Sequence, residues 1–174
     1  MSKIALVIGL AIFSGAAVSA GGQTAARGQA AAMPKDACAL LTATEVQALA
    51  GVAVKDGVPG QVAALSALSC TYTWGTGTNV YQVSVLASES AKLFPGMSTA
   101  LVKQAMLARV KTGGISAEVP DIGDAATFES DVPTRINGKA LAKGVFLTVE
   151  LEGPNARAQK DQVIALLKTA VGRL

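Results

Sequence analysis

The sequence predicts an α+β domain: a largely antiparallel sheet of about 5–6 strands, covered by three helices and stapled by one disulfide. Three observations carry this. Short segments such as Ser69–Trp74 and Val80–Ala87 alternate apolar and polar residues with the period of a half-buried strand. Gly-rich turns join them closely enough to demand antiparallel pairing. Between them stand capped segments with helical apolar spacing, which must cover the sheet's apolar face.

Taken in order, residues 1–20 read as a signal peptide. Lys3 supplies a positive start, Ile4 to Phe13 an apolar run of signal length, and Ser14 to Ala20 a small-residue end before a cut at Gly21. A membrane-spanning helix needs about 20 apolar residues, more than this run holds, so no stable anchor is expected after cleavage. Residues 21–33, rich in Gly, Ala and Gln, form a flexible tether. A single α+β domain then occupies 34–174.

Thr42 and Glu45 form a capping box, with Leu41 and Val46 as its hydrophobic staple and Gly51 as the left-handed stop. A helix over 43–50 burying Val46 and Leu49 follows. Residues 52–55 offer a strand, while 61–68 are ambiguous. Cys70, Tyr72 and Trp74 share one face of a strand, and Tyr81, Val83 and Val85 share one face of the next, joined through the turn at 75–79. Ser98 caps a helix to about Val110, with Leu101, Val102, Ala105, Met106 and Leu107 turned inward and Gly113–Gly114 ending it. Residues 119–130 form a turn and a short strand. Asn137-Gly138 has the preference of a type I′ hairpin. Residues 145–153 form a strand with Val145, Leu147, Val149 and Leu151 on one side. The closing helix, about 156–173, shows a stripe of Val163, Ile164, Leu167, Ala170, Val171 and Leu174.

Cys38, one of two cysteines, has four readings. A structural zinc site needs about four Cys or His ligands, and the chain has no histidine. A catalytic thiol lacks a histidine or Cys-x-x-Cys partner. A lipid anchor would sit directly behind the apolar run. A disulfide to Cys70 fits an exported chain with an even cysteine count.

Together, the phrases at 36–51, 70–74, 119–130 and 145–151 resemble secreted and lipoprotein domains of unknown function that are widespread in actinobacteria. Those share a Cys-x-Leu-Leu-Thr opening, a second cysteine before an aromatic strand, and a Gly-Asp-Ala-Ala turn. The resemblance covers roughly 35–173. It implies a PsbP-like α/β/α sandwich, an extracytoplasmic location and the Cys38–Cys70 disulfide, and it brings no catalytic residues. No lipid-accepting cysteine follows the leader here.

The charge balance, 15 Lys and Arg against 12 Asp and Glu, is mildly basic with no cluster, and aromatics make up 4%. Both features exclude a nucleic-acid surface. Glu118, Asp121 and Asp124 lie around Gly123, but their spacing matches no established cation loop, and turns use the same residues. The glycines at 75–77 join strand to strand, where a phosphate cradle would lead into a helix. With no histidine, no His-based triad exists. Glu150 and Glu152 share a strand face and read as solvated. Tyr72, Trp74, Tyr81 and Phe128 are the candidate wall of a ligand cleft. The expectation is therefore a periplasmic or secreted, non-enzymatic binding domain for an envelope protein or a small apolar ligand, with no metal and no cofactor. The alternatives are a carboxylate- or cation-dependent enzyme and a purely structural envelope protein.

Overall fold

A computed structural model describes residues 33–113 and 116–174. The expected signal peptide, all of the expected tether except Met33, and the Gly114 stop fall outside the described residues. Met33 packs against the core.

Seven strands form one sheet: β1 (Val58–Val62), β2 (Ala67–Thr76), β3 (Asn79–Glu89), β4 (Ser116–Glu118), β5 (Ala125–Val132), β6 (Arg135–Ala142) and β7 (Val145–Glu152). Their order is β1-β2-β3-β7-β6-β5-β4, and every neighbouring pair is antiparallel. Two meanders, β1–β3 and β4–β7, thus join where their last strands pair. The helices are α1 (Ala43–Ala50), the short α2 (Ser90–Leu93), α3 (Thr99–Gly113) and α4 (Lys160–Gly172). Among the described residues no helix is long and apolar enough to cross a membrane.

The expected class holds, but the sheet has more strands than the five or six expected. Residues 52–55 are not a strand; β1 starts at Val58 instead. Val-Pro-Gly-Gln-Val has no alternation because this edge strand is exposed for most of its length and pairs through its backbone. Asn137-Gly138 is not a turn either. Both residues lie within β6, paired with β5 and β7 on its two sides. The β6–β7 turn falls at Lys143-Gly144, both left-handed, with φ 50° and 80°. A Cβ on Gly138 would stand 3.2 Å from Leu167 Cδ2 and 3.6 Å from Val163 Cγ1. This glycine admits α4 to the sheet.

Cys70, Tyr72, Val83, Val85, Ile136, Ala140, Leu147, Val149 and Leu151 point to one face. They pack with Leu41 and Val46 and with Val163, Leu166, Leu167 and Ala170 of α4 in a filled core. The capping box forms as expected: Thr42 N–H donates to Glu45 Oε2 at 2.8 Å and Glu45 N–H to Thr42 Oγ1 at 3.3 Å. Gly51 closes α1 at φ 68°. The disulfide joins Cys38 to Cys70 over 32 positions. Closing a loop of that size withdraws about 3.5–4 kcal/mol of freedom from the unfolded chain in the entropic account.

Helix α3 lies on the opposite face, with Ser98 capping it through its hydroxyl to Leu101 N–H. Its inward stripe is narrower than expected: Val102 is buried, but Leu101 is 50% exposed and Ala105 is also exposed. The reason is the surface beneath. This face of the sheet is largely polar, and α3 turns only a narrow apolar strip toward it, with Val102, Ala105, Met106 and Val110 lining the gap between them.

Candidate functional site

The polar face follows from strand register. One row of neighbours runs Thr71, Ser84, Glu150, Asn137, Glu129 and Ser116 across β2, β3, β7, β6, β5 and β4. The adjoining row places Leu86, Thr148, Lys139 and Thr127 side by side. Thr71 and Ser84 hydroxyls share a hydrogen bond at 3.3 Å, and Gln82 Nε2 donates to Ser84 Oγ at 3.2 Å. A sheet face of this kind does not attract a helix tightly, since apolar area is the main driving force for docking.

The consequence is a slot of about 230 Å³ between α3 and β4–β7. Its roof is apolar: Met97, Val102, Met106 and Val110, with Phe94 at one end set edge-on to Phe146, ring centres 5.4 Å apart. Its floor carries the Thr127 and Ser116 hydroxyls and a Lys139–Glu129 ion pair, with Arg109 completing the wall. Both members of the pair are about three-quarters shielded from solvent. Neither hydroxyl has a histidine to take its proton, since the chain contains none.

Beside the slot, Glu150 is half-buried. Burial, then the neighbouring Glu152 carboxylate, push its pKa above the ordinary glutamate value, against Arg135 and Lys139, which pull it down. Asn137 Oδ1 and Arg135 Nε are buried without a hydrogen-bond partner among the described residues. Asp131 is held below the usual carboxylate range, chiefly by its hydrogen bond to Arg135 at 2.6 Å.

The aromatic residues singled out in the sequence lie on the other face. Tyr72 is 1% exposed, and its hydroxyl donates to the Leu41 carbonyl. Burial lifts its phenol above the usual value, helped by the Asp36 and Glu45 charges. Trp74 and Tyr81 are register partners and stack at 5.4 Å, 6° from parallel. These three sit together over β2 and β3. Phe128 is on β5, apart from them, in a shallow groove with Ser130, Arg157 and Lys160, whose ammonium stands 4.0 Å above the ring. Arg157 is tied to Ser130 by bonds of 2.9 and 3.0 Å. None of the four lines the slot under α3. Among Glu118, Asp121 and Asp124, the last accepts from Lys143 N–H at 3.1 Å and so serves the β6–β7 turn. Among the described residues no group of three or more acidic or cysteine side chains is set to hold a metal.

The slot itself was missed from the sequence. Val102, Ala105 and Met106 belong to the inward stripe expected of this helix, and two of the chain's four methionines and two of its four phenylalanines line the slot. What brings Phe94 and Phe146 together, from 52 residues apart, is the β3–β7 pairing that joins the meanders. Compared with known proteins, the chain matches no family model, no curated protein and no solved structure.

Proposed function

We propose that this is an exported, non-enzymatic binding domain that holds a small apolar ligand in the slot beneath α3. The observation that carries the reading is the contrast between the two faces. One side of the sheet is packed solid by α1 and α4, while on the other a methionine- and phenylalanine-roofed helix stands off a polar floor and leaves about 230 Å³. Sites for small molecules have this make-up: an apolar lining with a few polar groups. Methionine suits such a roof because its flexible thioether adapts to shape. The Cys38–Cys70 disulfide supports export through the leader at 1–20 and a periplasmic or secreted location. Helices on both faces of an antiparallel sheet support a PsbP-like sandwich.

The test is titration of the protein from the expressed full-length chain with N-phenyl-1-naphthylamine, a neutral probe that fluoresces in apolar surroundings. Saturable binding at one site is expected, weakened about tenfold or more by Ala105→Trp, which fills the slot from its exposed rim. Circular dichroism checks that the variant folds. Absence of saturable binding to the parent protein sinks the reading.

A further inference from the structure

We infer that the ligand of this slot is a small uncharged molecule that sets one acceptor oxygen, of a ketone or an alcohol, against the Thr127 hydroxyl and lays an apolar body under α3. The inference rests on the slot being the binding site.

The observation that carries it is an unanswered hydroxyl. Thr127 lines the slot and is only 6% exposed. Its hydroxyl has no hydrogen-bond partner among the described residues. Buried polar side chains are nearly always paired, because an unmade bond costs more than a made one gains. A ligand oxygen placed here accepts from the Thr127 O–H and replaces the bond that water would otherwise give.

The charges around the slot are already answered. Lys139, the register partner of Thr127, is paired with Glu129 and also lies near Glu150. Arg109 has an interaction partner of its own. An anionic head would reach Lys139 only beside Glu129, and a cationic head would reach Glu129 only beside Lys139. Attraction and repulsion then offset each other, while the cost of taking a charge out of water remains. A neutral oxygen avoids that cost.

Size limits the body. About 230 Å³ is below the roughly 300–1,000 Å³ of sites that take drug-sized molecules. The body is therefore a single ring or a short chain. Phe94, Phe146 and Met106 supply its apolar contact, and the thioether adapts to its shape.

The experiment measures displacement of the neutral naphthylamine probe, at neutral pH, by a set of near-isosteres: acetophenone, phenylethanol, ethylbenzene, phenylacetate and phenethylammonium. The ketone and the alcohol should each bind about tenfold or more tighter than either ion. Thr127→Val, which keeps the shape and removes the hydroxyl, should weaken both about fivefold and move ethylbenzene by no more than about twofold. Thr127→Ser, which keeps the hydroxyl, should preserve the ratio of ketone to ethylbenzene affinity. An ion that binds as tightly as the ketone overturns the uncharged head. A ratio unmoved by Thr127→Val, or lowered equally by Thr127→Ser, overturns the placing of the oxygen at Thr127. Displacement by ethylbenzene with no competition from ketone or alcohol overturns the oxygen altogether. In each of these cases the slot stands as an apolar site. Probe binding that none of the set competes with overturns the small ligand, and absence of probe binding overturns the site itself.

Discussion

Arg173, at the end of α4, grips Glu45 in the first turn of α1 with two hydrogen bonds, Nη1 to Oε2 at 2.9 Å and Nη2 to Oε1 at 2.6 Å. The same Nη1 also donates to the Leu40 carbonyl at 2.9 Å. One carboxylate therefore closes the α1 capping box and ties the last helix to the first. Burial raises the Glu45 pKa, but the bonds from Arg173 and from the Thr42 amide and hydroxyl outweigh it and leave the group below the ordinary glutamate value. A carboxyl lowered on folding stabilises above its unfolded pKa, and that contribution disappears as pH falls through the folded one.

Glu45→Ala should accordingly cost about 1–2 kcal/mol at neutral pH, because it removes half the capping box and the ion pair together. Arg173→Ala, which spares the box and loses a pair partly open to solvent, should cost less, about 0.5–1 kcal/mol. Urea unfolding of both variants at neutral pH and at a pH below the ordinary glutamate value checks this. Equal costs for the two variants, or costs independent of pH, would be contrary results.

Glu150 should have the opposite pH dependence. Its raised pKa means that the folded protein holds the proton to higher pH than the unfolded chain does. The Glu150 contribution to stability should then be most favourable at or below the ordinary glutamate pKa and decline as pH rises through the window up to the raised value. Glu150→Gln should remove that decline, stabilising the protein at neutral pH and changing little in acid. Thermal melts of the two proteins across pH 4–8 decide the matter; parallel curves would contradict the assignment.

Gly138→Val should destabilise by about 1–3 kcal/mol, because the added side chain must push Leu167 and Val163, both fully buried, away from the sheet. Gly144→Ala at the true hairpin is the control. There the space is open and the cost comes only from φ 80°, about 1 kcal/mol. Fluorescence of Trp74 follows unfolding of both. A Gly138→Val protein as stable as the parent would mean that α4 does not depend on this close approach.

Local chemistry made much of the fold legible. The capping box, the left-handed stop at Gly51, the alternation of Cys70, Tyr72 and Trp74, and the closing amphipathic helix each reside in a few contiguous residues, and each forms. The pairing of the two cysteines was likewise readable, since each had no other partner of its kind. Asn137-Gly138 misled because its turn preference is weaker than the burial gained when α4 packs over Gly138. The edge strands β1 and β4 were hidden because they need only a neighbour's backbone, and backbone pairing writes little pattern into side chains.

Sequence by itself determined the class, the caps, the disulfide and which strand faces are apolar, because these are set by neighbours within a few positions. Only the tertiary structure decided that β3 pairs with β7 and that α3 lies over a polar face. The meeting of Phe94 with Phe146 at the end of the slot follows from that pairing, while the Lys139–Glu129 pair on its floor is set by the β5–β6 register. Contacts between residues distant along the chain depend on which surfaces dock best once all are formed, and no local pattern records that choice.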